Sequence, residues 1–137
     1  TPKYVAAAEQ PSVERGEYLA RGPAFCVGCH TPLEFPAMTL GTPFSGSADP
    51  EPDKDDPTMV YRSPNLTPDP ETGHITKWDE ETFVKRLAKG RNLKTSKRPW
   101  EAYREMTDSD ARSLYRYLRS LPPTKHYIGA PHRPKSE

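Results

Sequence analysis

The stretch Cys26-Val27-Gly28-Cys29-His30 constrains this chain more than any other. Two thiols three positions apart, followed at once by an imidazole, make a C-x-x-C-H arrangement. Thiols at that spacing reach the two vinyl groups of one porphyrin and bind both as thioethers. The imidazole after the second thiol then lies under the iron as its proximal ligand. Gly28 has no Cβ, so the backbone can turn closely against the ring edge. These residue types in this order predict a covalently attached haem c, held through Cys26 and Cys29 with His30 on the iron.

Two other chemistries use C-x-x-C: a thioredoxin-like redox pair and half of a zinc site. A redox pair calls for a preceding strand within a βαβ pattern, and neither is legible around residue 26. A zinc site calls for two further ligands at compact spacing. His74, His126 and His132 are scattered, and the chain has only the 2 cysteines.

Composition agrees with a cofactor-centred core. At 137 residues the natural count is one domain, yet only 33% of the chain is hydrophobic, 28% is charged and 17 residues are proline. A buried haem would supply the apolar body that so few aliphatic side chains cannot. The formal net charge of +1 recommends neither nucleic acid nor a highly charged partner. No apolar run approaches membrane-spanning length, and no secretion signal is legible. Thr1-Pro2-Lys3 reads as the start of a processed or trimmed chain. Covalent haem attachment takes place outside the cytoplasm, so the expectation is an exported, periplasmic protein.

The organisation expected is an N-terminal arm over 1–11, a haem-bearing domain over 12–123 and an irregular tail over 124–137. Ser12 reads as an N-cap for a helix from Val13 to about Ala20. Gly16 inside that helix costs stability unless something packs closely against it, and a crossing of the last helix would supply the reason. From about Leu33 to Tyr61 periodicity is lost in a long segment rich in proline, glycine and acid. Its Asp49–Asp56 run reads as a solvated loop without the spacing of a calcium site. Ser63-Pro64-Asn65-Leu66-Thr67-Pro68-Asp69 is a compact turn signature. Asn65 and Thr67 have two roles open to them, bonding to backbone or facing the haem propionates. Trp78 is a core aromatic, an indole donor to a propionate, or both. A helix is predicted from about Asp79 to Lys89 with Gly90 as its C-cap, followed by a basic crossing that includes Lys94, Lys97 and Arg98. The closing helix is capped by Thr107, buries Ala111, Leu114, Leu118 and Leu121, and is stopped by Pro122-Pro123.

These motifs together resemble a subset of class I cytochromes c, the single-haem domains and repeated haem modules of bacterial dehydrogenase cytochrome subunits. The likeness rests on Glu14-Arg15-Gly16, Gly22-Pro23-Ala24-Phe25-Cys26, the haem motif, Asn65-Leu66-Thr67-Pro68-Asp69, Thr72-Gly73, Trp78, Pro99-Trp100 and Tyr117-Leu118-Arg119-Ser120-Leu121-Pro122-Pro123. It spans roughly Val13 to Pro123. It implies an all-α, cytochrome c-like fold, with N- and C-terminal helices crossing around the haem and one long irregular loop. It also implies electron transfer between a dehydrogenase and a further redox protein, rather than catalysis by this chain.

One departure is sharp. Such proteins place a methionine just before the Pro-Trp pair, as the sixth ligand of iron, and here that position is Arg98. A guanidinium has no lone pair for a metal. Met59 or Met38 from the long segment, Met106, and the nitrogens of Lys94, Lys97 or His74 are substitutes. An iron with no internal sixth ligand is the remaining alternative. A thioether would raise the potential and suit a relay, and a nitrogen donor would lower it. An open position would admit CO, NO, peroxide or nitrite, with Arg98 donating hydrogen bonds to the bound species or to a propionate. A module docked within a larger dehydrogenase or oxidase assembly is the third expectation.

Overall fold

The computed structural model describes residues 3–34, 36–88, 103 and 105–137. Helix α1 (Val13–Arg21) starts where Ser12 leaves extended backbone and its hydroxyl accepts the Arg15 amide proton at 3.1 Å. A single turn, α2 (Cys26–Cys29), follows, and Phe25 before it adopts a left-handed conformation with φ 52°. Helix α3 (Glu80–Ala88) buries Phe83 and Leu87. Helix α4 (Asp108–Ser120) is capped by Thr107, whose hydroxyl accepts from the Asp110 amide at 3.1 Å, and buries Ala111, Ser113, Leu114, Tyr117 and Leu118.

Helices α1 and α4 pack directly, and the contact is built on Gly16. A Cβ there would overlap the Ser113 carbonyl and stand 2.7 Å from Tyr117 Cβ. Glycine is therefore required by close approach rather than by its dihedrals. The Ser12 amide donates to Ser113 Oγ at 3.0 Å, and Arg15 clamps the Asp110 carboxylate through Nε and Nη2 at 3.0 and 3.1 Å. That fork geometry raises the Arg15 guanidinium pKa, chiefly through its hydrogen bond to Asp110. Leu19, Ala20, Phe44, Leu66, Phe83, Leu114 and Leu118 belong to the core these helices share.

The expectation of an all-α fold is overturned. Among the described residues there are two antiparallel sheets built from five strands beside the four helices. Strands β1 (Leu33–Glu34) and β2 (Thr39–Leu40) form a small hairpin with Leu33 opposite Leu40. Strands β3 (Ser47–Pro52), β4 (Met59–Ser63) and β5 (His132–Pro134) form a three-stranded sheet in that order. The segment expected to be an irregular acidic loop thus contains β3. Its prolines are compatible with that because β3 is an edge strand, where a missing N–H breaks no ladder on the open side. The third strand comes from the tail expected to be irregular. His132 stacks on Tyr61 with centroids 4.4 Å apart, and its Nε2 lies 2.8 Å from Asp53 Oδ2. The arm is docked as well, since the Val5 carbonyl accepts from Arg15 and the Ala8 carbonyl from Ser109.

Candidate functional site

Residues 26–29 form one helical turn, which places Cys26 and Cys29 on the same side because positions i and i+3 are neighbours on a helix. Neither is in a disulfide. Gly28 lies directly under the exposed Phe25 ring, which a Cβ would push aside. A helix rather than a strand precedes the motif, unlike a thioredoxin-type site. Among the described residues no group of three or more His, Cys, Asp or Glu assembles, so no zinc set completes the cysteines.

His30 closes the turn, its amide donating to the Cys26 carbonyl at 3.0 Å. Its Nδ1 lies 2.7 Å from the Pro64 carbonyl oxygen. A carbonyl only accepts, so Nδ1 carries the proton and the lone pair of the neutral ring resides on Nε2. A metal-ligating histidine needs that arrangement: the second nitrogen donates to an acceptor that fixes the tautomer and the ring plane. The His30 carbonyl is held too, accepting from the Gly46 amide at 2.7 Å.

The residues around the motif suit a c-type haem. Two thiols and an oriented imidazole match its vinyl groups and iron. The large apolar side chains Phe25, Met38 and Leu40, close to the motif in sequence, stand exposed, as suits an apolar macrocycle. Two guanidinium nitrogens, Arg62 Nη1 and Arg133 Nε, are buried without a hydrogen-bond partner. They belong to β4 and β5, where Arg133 lies opposite Val60 and the Arg62 amide donates to the Pro131 carbonyl, so both side chains share one face of the sheet. Haem brings two carboxylates, the chemistry such nitrogens lack.

The structure commits Asn65 and Thr67 to protein partners. Both are 1% exposed. Asn65 Oδ1 accepts from the Thr67 amide and hydroxyl at 2.9 and 2.7 Å, while its Nδ2 donates to Thr72 Oγ1 and to the Thr124 carbonyl at 3.1 and 2.8 Å. Trp78 is wedged between α3 and α4, with the Arg86 guanidinium 5.3 Å from its ring and its carbonyl accepting from the Tyr115 hydroxyl at 2.7 Å. Asp69 accepts from the Thr72 hydroxyl at 2.6 Å, and that bond holds its carboxyl pKa below the ordinary carboxylate range.

The sixth-ligand substitutes are spread over the molecule. Met59 opens β4, and Ser63 ends it beside Pro64, so Met59 stands roughly 13 Å along the strand from that end. Met38 is 59% exposed with φ 57°. Met106 packs against the helical core. His74 lies against Trp78, with centroids 5.3 Å apart. Arg98, Lys94 and Lys97 lie outside the described residues, as does the Gly90 cap. Sequence reading missed the Pro64 carbonyl, Gly46 and Thr72 as parts of the site. A backbone acceptor leaves no residue-type signal, and Gly46 read only as loop composition.

No protein-family model matches the chain. It is 32% identical over 115 residues to the cytochrome c subunit of alcohol dehydrogenase (quinone) from Gluconobacter oxydans (strain 621H), covering 81% of this chain and 22% of that protein. It is 34% identical over 117 residues to the fructose dehydrogenase cytochrome subunit of Gluconobacter japonicus, covering 82% and 22%. A third match, the gluconate 2-dehydrogenase cytochrome c subunit of Pantoea cypripedii, is 29% identical over 122 residues, covering 85% and 27%. The chain resembles c-type cytochrome subunits of bacterial dehydrogenases. It spans about a quarter of the length of these relatives. Each of these relatives is named as the cytochrome subunit of a dehydrogenase.

Proposed function

We propose that this chain is a single-haem electron-transfer cytochrome, exported to the periplasm, that serves a dehydrogenase and passes electrons to a further redox protein. The observation that carries this is the His30 Nδ1 bond to the Pro64 carbonyl at 2.7 Å, made at the end of a one-turn C-x-x-C helix. The haem, when bound, supplies a one-electron Fe(III)/Fe(II) couple. Cys26 and Cys29 hold it covalently, and His30 donates Nε2 to the iron. Trp78 forms part of the surrounding wall, while Asn65 and Thr67 act through the backbone they hold. We assign the haem-bearing body to residues 12–123, preceded by an arm over 1–11 that is bonded to it through Val5 and Ala8.

Arg98 favours a second reading at the sixth position, because methionine is expected there and a guanidinium cannot ligate. An internal substitute, with Met59 the first thioether to test, keeps the relay. An open position makes the chain a binder or reducer of CO, NO, peroxide or nitrite, with Arg98 as donor to the bound species. Absorption spectra of both oxidation states, before and after CO, separate the two. The relay requires a low-spin spectrum that CO leaves unchanged, and substitution of Met59, Met38, Met106 and Lys97 in turn then identifies the ligand. A high-spin ferrous spectrum that shifts promptly with CO establishes the open site. Absence of a thioether-linked haem from the wild-type chain, or haem still held covalently by a chain carrying both Cys26→Ala and Cys29→Ala, would sink the proposal itself.

A further inference from the structure

The bonds behind His30 come from stretches of chain far apart in sequence. Gly46, which donates to the His30 carbonyl, has φ +92° and lies flat on the Pro64–Asn65 peptide. A Cβ at Gly46 would stand 2.8 Å from the Asn65 nitrogen, 2.9 Å from the Pro64 carbonyl carbon and 2.8 Å from Ile128 Cγ1. The two segments gripping His30 are thus pressed together, and Ile128 of the tail, itself buried, closes the stack.

The tail also bonds each segment one residue from its contact with His30. Asn65, next to Pro64, donates through Nδ2 to the carbonyls of Thr124 and His126 at 2.8 and 3.3 Å. His126 Nδ1 lies 2.8 Å from the carbonyl of Ser45, next to Gly46, so that nitrogen must donate. The Thr124 amide donates to Thr67 Oγ1 and the His126 amide to Thr72 Oγ1, each at 3.1 Å. A tail that merely covered surface would have no need to satisfy the side chain of a buried asparagine.

We propose that residues 124–128, beyond the stretch that carries the cytochrome motifs, are a working part of the haem site. Asn65 and His126 are positioning residues that act through Pro64 and through Ser45–Gly46. They fix the plane of the His30 ring and the strength of its Nδ1–H bond. This rests on the haem reading above. An imidazole that donates strongly to a well-placed carbonyl is a stronger ligand and favours Fe(III). Loosening the tail therefore raises the reduction potential.

The test is redox potentiometry on the full haem-loaded chain carrying Asn65→Ala, His126→Phe or, as a control, Arg15→Gln. The control breaks the ion pair to Asp110 that ties α1 to α4. Both tail-side variants are expected to shift the redox equilibrium against a reference couple at least threefold toward Fe(II), with the control unmoved although it too loses stability. His126→Gln, which keeps an N–H for Ser45, should return part of the shift. Unchanged potentials in both tail-side variants, or an equal shift in the control, would overturn the proposal. Should Asn65→Ala fail to fold, His126→Phe at its half-buried position still decides. A wild-type chain without thioether haem would overturn the haem reading, whereas haem present with an unmoved potential overturns only this one.

Discussion

The two ends of the chain are fastened to the same body by different means. The α1–α4 crossing is a packing contact between two regular helices, closed by a glycine and by the forked Arg15–Asp110 pair. The tail around Asn65 is a polar knot of irregular backbone, in which one buried amide serves residues from both ends of a turn and from residues 124–126. In the first kind of contact the glycine packing is short-ranged, steep and free of titratable groups, with a single ion pair beside it. The second depends on hydrogen-bond partners that must all be present, so losing one leaves others buried and unsatisfied. Glycine packing is therefore most exposed to added volume, while a polar knot is most exposed to the loss of a single partner.

The largest effect that would sharpen this contrast is at Gly16. Alanine is the better helix former by about 1 kcal/mol, which favours the variant. Its Cβ meets the Ser113 carbonyl, however, and backbone on two helices must move, so Gly16→Ala is expected to cost about 2 kcal/mol net. Urea unfolding measures this directly, and a variant as stable as the parent would show that the crossing is looser than its geometry implies.

Acid should act on the other region. Asp69 accepts the hydroxyl proton of Thr72, and Thr72 Oγ1 in turn receives Asn65 and the His126 amide. Its pKa is lowered in the fold, so its contribution is present above the ordinary carboxylate value of about 3.9 and is lost as pH falls through the lowered one. Glu80 follows the same sign, held down first by Arg116 and also by Arg112, and it ties α3 to α4. Amide exchange followed from about pH 5 down to about pH 2, through the lowered carboxylate range, should show residues 124–128 opening before the α1–α4 core. Simultaneous opening would erase the distinction between the two regions.

The smallest effect expected is at Lys125, which pairs with Glu71 at 2.9 Å although both side chains are about 70% exposed. Lys125→Ala should change stability by less than about 0.5 kcal/mol in thermal melts, because an exposed pair gains little over water. A larger loss would mean that the tail is held by surface charge as well as by the buried knot.

The helices were legible because their signals are local. Ser12 and Thr107 cap, Ala111, Leu114 and Leu118 recur at helical spacing, and Gly16 invites a crossing partner. The sheet was not legible because its signals are not local. Strand β3 carries Pro50 and Pro52, which argue against a strand until its edge position is known, and β5 joins it through β4 from some seventy residues further on. In the site, Cys26, Cys29 and His30 declare themselves by spacing. Pro64 does not, since it contributes a backbone oxygen, and neither does the tail, whose Thr124 and His126 look ordinary in sequence.

The amino-acid sequence alone determined a two-cysteine, one-histidine motif of the c-type haem kind, because thiol and imidazole at fixed spacing are a property of neighbouring residues on one turn. It also determined α1, α3 and α4 and the glycine on which α1 and α4 cross, though not the single turn α2. Only the tertiary structure decided that the fold is mixed α/β, that His30 Nδ1 meets the Pro64 carbonyl, and that Thr124 and His126 bond to the segments behind His30. Each of those depends on which distant carbonyl or amide meets a given group, and only the closing of long loops settles that.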